Sequence, residues 1–354
     1  MNKIKEVFDN GFIIYRETKV DKRELSWQKS YCVGCGICSD VCPVGAIKLG
    51  PLGAIAKGLI DDNYIDIDKE KCVLCGICSA ACFFNALDLK INGKSIKEDE
   101  RYPKITGKSI KVEQEKCVLC EQCEIVCPRD AIVVERELTE RKKFVVGEIV
   151  INKEKCVLCG ICAEYCPADA IELNYRIPTP SNPKPVDDIK VNHDLCVYCR
   201  VCEYVCPHDA IEAICYKCPL HKRIPKAKLY EDINGKTTVY EDICVSCGWC
   251  AYVCPTNAIK VEKPFEGEVI INHEKCSGCA ACVNICPCSA LEFPKSEKKA
   301  QKVQKLIVNQ NLCVLCGACA KACPVEAIKV VRKSVKLTKN YPKAWEKQLK
   351  KVLN

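Results

Sequence analysis

The chain runs to 354 residues, 35 of them cysteine, with aromatics at only 6% and a formal charge of +8. Cysteine at that density normally marks a disulfide scaffold in a short secreted chain, but this chain is long and its cysteine count is odd. Residues 1–16 show no basic region, apolar core and small-residue cleavage site, and no stretch approaches the roughly 18 apolar residues of a membrane helix, so the expectation is a reducing cytoplasm with no membrane partner.

Taken in chain order, one unit recurs eight times, C-x-x-C-x-x-C-x-x-x-C. It begins with Cys32, Cys35, Cys38, Cys42, then Cys72, Cys75, Cys78, Cys82. The third motif is Cys117, Cys120, Cys123, Cys127, and the fourth is Cys156, Cys159, Cys162, Cys166. The fifth is Cys196, Cys199, Cys202, Cys206, and the sixth is Cys244, Cys247, Cys250, Cys254. The seventh is Cys276, Cys279, Cys282, Cys286, and the eighth is Cys313, Cys316, Cys319, Cys323. Alternating apolar runs predict strands ahead of most motifs, at 65–67, 110–112, 149–151, 269–271 and 306–308. Pro follows the fourth cysteine in all but the second motif, which has Phe83, and Ala–Ile or Ala–Leu three residues on opens another short strand. One unit therefore reads strand, ligand loop, helical turn, strand, and two units make a small βαββαβ sandwich. A module of about 80 residues buries little apolar surface, so metal ligation is expected to supply folding energy.

The spacing carries chemistry. Three thiolates at i, i+3 and i+6 wrap one iron–sulfur cubane in a tight loop, and the fourth opens a helical turn that faces away. Proline after it suits the helix start, where an N–H has no partner. Zinc favours two separated C-x-x-C pairs, and a metal-storage chain has no need of the flanking strands. The expected cofactors are eight [4Fe–4S] clusters. Each four-thiolate unit carries about −2 when oxidised, which turns the formal charge into about −8. The positive formal charge is thus no nucleic-acid footprint. Small residues follow the second cysteine in six motifs: Gly36, Gly76, Gly160, Gly248, Ala280 and Gly317. Glu121 and Arg200 stand there in the other two, and either tunes its cluster by charge or points to water.

Three cysteines remain. Cys288 reads as a small buried residue, and Cys215 with Cys218 as a structural C-x-x-C or a redox pair. The Pro-rich run 177–186 reads as a linker or exposed loop. His193, His208, His221 and His273 show no ligand spacing. From Pro342 a basic helix carries Trp345, Leu349 and Val352 on one face, poised either for a partner or to fold back. No phosphate loop, nucleophile–base pair or nucleotide fingerprint is present.

The motifs with their C-P-x-x-A-I tails resemble the bacterial-type two-cluster ferredoxins over residues 25–335. Eight such motifs in about 350 residues, with Cys286–Pro287–Cys288, resemble the polyferredoxin subunits of tungsten or molybdenum formylmethanofuran dehydrogenase in methanogenic archaea. The resemblance implies an α+β fold of four βαββαβ modules in an elongated array. Consecutive pairing gives residues 1–100, 101–180, 181–265 and 266–340, with a basic helix over 341–354. A shifted register would join motifs two with three, four with five, six with seven and one with eight. Under the crossed-ligand rule of two-cluster ferredoxins, Cys42 would serve the second cluster and Cys82 the first. The implied role is an electron wire without a catalytic site of its own. Its partners would be the catalytic and other subunits of formylmethanofuran dehydrogenase, with heterodisulfide reductase, hydrogenase or ferredoxin as electron donor. A free carrier, a hydrogenase-associated polyferredoxin and an iron–sulfur store are the competing roles.

Overall fold

The computed structural model describes residues 3–137, 147–215, 234–295, 306–338 and 342–353. The chain divides into two compact units, one of residues 1–109, 241–247 and 262–354, the other of residues 110–240 and 248–261. Both mix short strands with few, short helices.

In the first unit, the strand ahead of motif one, Lys22–Gln28, pairs antiparallel with the strand behind motif two, Leu87–Ile91. Alternation fixes the face: Leu25 lies opposite Leu89 and Trp27 opposite Leu87, and all four are buried. The inner strands, Ile47–Leu49 and Ile65–Ile67, pair likewise. Helices Ile37–Asp40 and Ile77–Ala81 pack together. An N-terminal hairpin, Ile4–Phe8 and Gly11–Glu17, extends the outer pair into a five-stranded sheet with Lys94–Ser95. The motif pattern does not announce this hairpin. Gly11 permits it, because a Cβ there would sit 1.9 Å from the Trp27 carbonyl oxygen.

Motifs seven and eight repeat the arrangement in the same unit. Phe265–Ile271 pairs with Ile328–Val335, Leu291–Glu292 with Ile307–Val308, and helix Ala281–Asn284 packs on Ala318–Ala322. Helix Leu52–Ala56 joins the two halves by packing on both of those helices. Gly53 makes the approach feasible, since a Cβ there would lie 2.9 Å from the Ala322 carbonyl oxygen. Phe83, in place of proline, is buried against Phe84 and, edge-on, Phe265. The C-terminal helix Lys343–Leu349 folds back: Leu349 and Val352 are buried, Trp345 lies 5.4 Å from the Tyr102 ring, and the helix packs on Ile77–Ala81.

The second unit departs from both expected registers. Gly147–Ile151, ahead of motif four, pairs with Ile211–Cys215 behind motif five, and Ile171–Tyr175 pairs with Val186–Val191. Helix Ile161–Glu164 packs on Val201–Tyr204. Motif three pairs with motif six: Ile132–Glu137 with Asn234–Val239, Ser109–Val112 with Ile259–Glu262, and helix Gln122–Ile125 on Trp249–Val253. Pairing of three with four and five with six, and so the boundaries 101–180 and 181–265, is therefore corrected. Of the shifted register, only four with five matches. The physical reason lies in the connections. The Pro-rich run 177–186 is not a linker between modules but the loop within one, ending where Val186–Val191 turns back onto Ile171–Tyr175.

Candidate metal centres

All eight motifs share one backbone solution. The residue two after the first cysteine has positive φ: Gly34, Leu74, Leu119, Leu158, Tyr198, Ser246, Gly278 and Leu315. So has the residue after the second cysteine, from Gly36 at 74° to Gly248 at 96°, with Glu121 at 62°, Arg200 at 67° and Ala280 at 61°. Alternating left-handed residues turn successive N–H groups toward one side of the loop, an anion-binding nest. A third such residue stands three after each fourth cysteine, among them Gly45, Asn85 and Asp130. It aims the next N–H at the sulfur: Ala46 donates to Cys42 Sγ at 3.3 Å, Ala170 to Cys166 at 3.2 Å and Ala327 to Cys323 at 3.2 Å. Seven motifs make this bond; motif two, with Phe83, does not. The glycines after the second cysteine were legible in the sequence. The first left-handed position was not, because leucine, tyrosine or serine fills it in six motifs.

The sulfurs group in the crossed manner. Cys32, Cys35 and Cys38 line a small cavity together with Cys82 from motif two. Cys313, Cys316 and Cys319 line another with Cys286 from motif seven. Cys42 neighbours Cys72 and Cys78, and Cys254 neighbours Cys120 and Cys123. Cys206 neighbours Cys159 and Cys162, and Cys166 neighbours Cys196, Cys199 and Cys202. In motif seven Cys282 neighbours Cys279 and Cys276, and the loop of motif six has the same backbone geometry.

Burial dominates the acidity of these thiols. It pushes Cys32, Cys159 and Cys313 up to about 11, and Cys202 and Cys316 up to about 12, with neighbouring cysteines adding repulsion. A thiol so placed ionises only with a cation to compensate it. The residues fit such a group. The Trp27 indole N–H is buried in the first cavity with no partner in hydrogen-bonding geometry, though close enough to Cys32 to favour its thiolate.

The charges at the special positions are spoken for. Glu121 pairs with the Arg136 guanidinium at 2.9 Å, and Glu164 meets it at 2.8 Å. Arg200 pairs with the buried Glu203 at 2.9 Å. Neither simply points to water. Cys288 is buried, as expected, and its thiol hydrogen-bonds the Cys286 sulfur, favouring the Cys286 thiolate. Cys215 closes the strand Ile211–Cys215, while its side chain, Cys218 and His221 lie outside the described residues. His193 stacks on Tyr198, His208 is half-buried and His273 is exposed.

The 4Fe-4S dicluster domain family matches residues 31–86, 71–131, 116–170, 155–210 and 275–327, and the 4Fe-4S binding domain family matches 237–260. The chain is 75% identical over 268 residues to polyferredoxin protein FwdF of Methanocaldococcus jannaschii, a match spanning 76% of this chain and 75% of that one. The chain belongs to the polyferredoxins. A similar fold is found in a chain of the formate dehydrogenase–heterodisulfide reductase–formylmethanofuran dehydrogenase complex from Methanospirillum hungatei. The TM-score is 0.64 at 30% identity, covering 99% of this chain and 91% of that one. The dicluster matches overlap along this polyferredoxin, because five of the seven successive motif pairs satisfy the pattern; strand pairing alone tells which two fold together. No helix among the described residues is long and apolar enough to cross a membrane.

Proposed function

We propose that this polyferredoxin holds eight [4Fe–4S] clusters on its 32 motif cysteines in four crossed two-cluster modules. It would pass low-potential electrons in the cytoplasm to the catalytic subunits of a formylmethanofuran dehydrogenase. The observation that carries the reading is the cavity bounded by Cys32, Cys35 and Cys38 from one motif and Cys82 from the next. Bound clusters would supply one-electron chemistry. The chain's own residues ligate, exclude water and set the local charge. No substrate is handled by these residues, which are cysteines, backbone amides and apolar neighbours, and we read the chain as a conductor without catalysis of its own.

Two approaches between modules support conduction. In the first unit Cys35 and Cys316 feel each other's charge, and a Cβ on Gly317 would lie 3.7 Å from the Cys35 carbonyl oxygen. In the second unit Cys120 feels Cys159. An iron and sulfide assay of the anaerobically purified chain should find about 32 iron per chain; a count of about 8 to 16 rejects the eight-cubane reading. Native purification with mass spectrometry tests the partner. A molybdopterin-type subunit and an amidohydrolase-like subunit are expected to accompany the chain, and recovery alone or with a hydrogenase rejects the formylmethanofuran assignment. Heterodisulfide reductase, named with the related chain's complex, is the electron donor we favour.

A further inference from the structure

Arg332 is a buried cation, only 8% exposed, and no carboxylate pairs with it among the described residues. It stands nine residues after Cys323 on the strand Ile328–Val335. Its Nε donates to the Leu315 carbonyl at 2.7 Å, Nη2 to the Cys316 carbonyl at 2.6 Å, and Nη1 to the Val352 carbonyl at 2.8 Å. The guanidinium lies 5.1 Å over the Phe265 ring. Two of its three acceptors belong to the motif-eight loop. Lys263 Nζ takes the start of the same loop, bonding the Cys313 carbonyl at 3.1 Å and the Asn311 carbonyl. Two cations grip one loop.

The same device occurs twice more, each time with its charge offset. Arg136, nine residues after Cys127, donates to the Leu119 carbonyl at 2.6 Å, the counterpart of Leu315, but pairs with Glu121 and Glu164. Arg23 donates to the Leu74 carbonyl at 3.0 Å, and Lys3 to the Cys72 carbonyl at 2.6 Å, but Arg23 pairs with Asp21 at 2.7 Å. Carbonyl dipoles share a buried positive charge without cancelling it, and an unpaired buried charge is strongly unfavourable. Among the described residues, the counter-charge left to it would be on the other side of the loop, in the cavity lined by Cys286, Cys313, Cys316 and Cys319.

We propose that Arg332, with Lys263, is a positioning pair that raises the reduction potential of the cluster held by the motif-eight loop and so makes it a collecting point for electrons. The proposal rests on the eight-cluster reading above. Reduction there adds one electron, delivered by a low-potential donor, and one negative charge beside a fixed positive one; no bond breaks and no proton moves. Nearby positive charge favours that added electron.

The test uses the full chain with its iron content verified, titrated anaerobically against dithionite and followed by electron paramagnetic resonance. In Arg332→Gln one couple is expected to lose about tenfold in its reduction equilibrium, about 59 mV for a one-electron step, with the others in place. Arg332→Lys should restore most of the shift, and Lys263→Gln should move the same couple the same way by less. Full iron content with no couple displaced overturns the proposal and leaves the cluster reading standing. If Arg332→Gln sheds about four iron, Lys263→Gln decides alone, and an unmoved couple overturns the proposal. A parent chain with about 8 to 16 iron overturns both.

Discussion

At the scale of single residues, the ligand loops hold strained backbone at matching positions. A left-handed non-glycine residue costs roughly 1–2 kcal/mol, and it persists only where its surroundings over-determine it. Ser246 has φ 55°, is buried, and its hydroxyl has no partner among the described residues. Ser246→Gly is therefore expected to stabilise the chain by about 1 kcal/mol in anaerobic denaturant unfolding. Gly76 is the opposite case. With φ 90°, its Cβ would meet Ile96 and Leu89 side chains at 2.7 Å. Gly76→Ala should cost about 1–3 kcal/mol by the same measurement, whereas Gly45→Ala, at φ 60° with open space around it, should cost only the backbone share. Charge neutralisation is also local: Glu121 and Arg200 differ from the small residues at their positions, yet each has its own counter-ion.

At the scale of elements, short strands and four- or five-residue helices depend on what they pack against. The helix Lys343–Leu349 has its stability in Leu349, fully buried on the first unit. Leu349→Ala is expected to cost about 2–5 kcal/mol, seen as loss of amide protection along 343–353 with the cysteine loops still protected. The turn at Glu113 carries a pH dependence. Lys116 and Lys260 bond its carboxylate and hold it down at about 2, against an ordinary 4.5. A depressed folded-state pKa contributes stability that is fully present above about pH 4.5 and is lost as pH falls toward about 2. The protection difference between the parent and Glu113→Gln over residues 113–117 should be constant at neutral pH and close below pH 4.5, and high salt should shrink it, because both lysine partners are exposed.

At the scale of the whole molecule, the chain folds motif four with motif five inside a pair made by motifs three and six. Iron loss in double variants reads this directly. Cys123→Ala and Cys254→Ala should each remove about four iron, and together no more than either alone, because both serve one site. Cys123→Ala with Cys166→Ala should remove about eight. Additive loss in the first pair would mean that motif three keeps to itself or to motif four.

The cysteine spacing, the proline after it and the Ala–Ile tail determine the motif loops and their flanking strands and single out the 32 motif cysteines, because three left-handed turns and a helix start are short-range consequences of a dozen residues. The sequence alone also marks Gly36, Gly76 and their equivalents as close-approach positions. It leaves open which motif each fourth cysteine visits. The eight units are nearly identical locally, so nothing near Cys254 distinguishes motif three from motif five. That choice belongs to long-range strand pairing, such as Ile132–Glu137 with Asn234–Val239. Tertiary structure likewise decided that Arg332, one basic residue among many in the tail, is buried with two of its bonds on a ligand loop, because only packing turns a charge in the sequence into an unpaired charge beside a site.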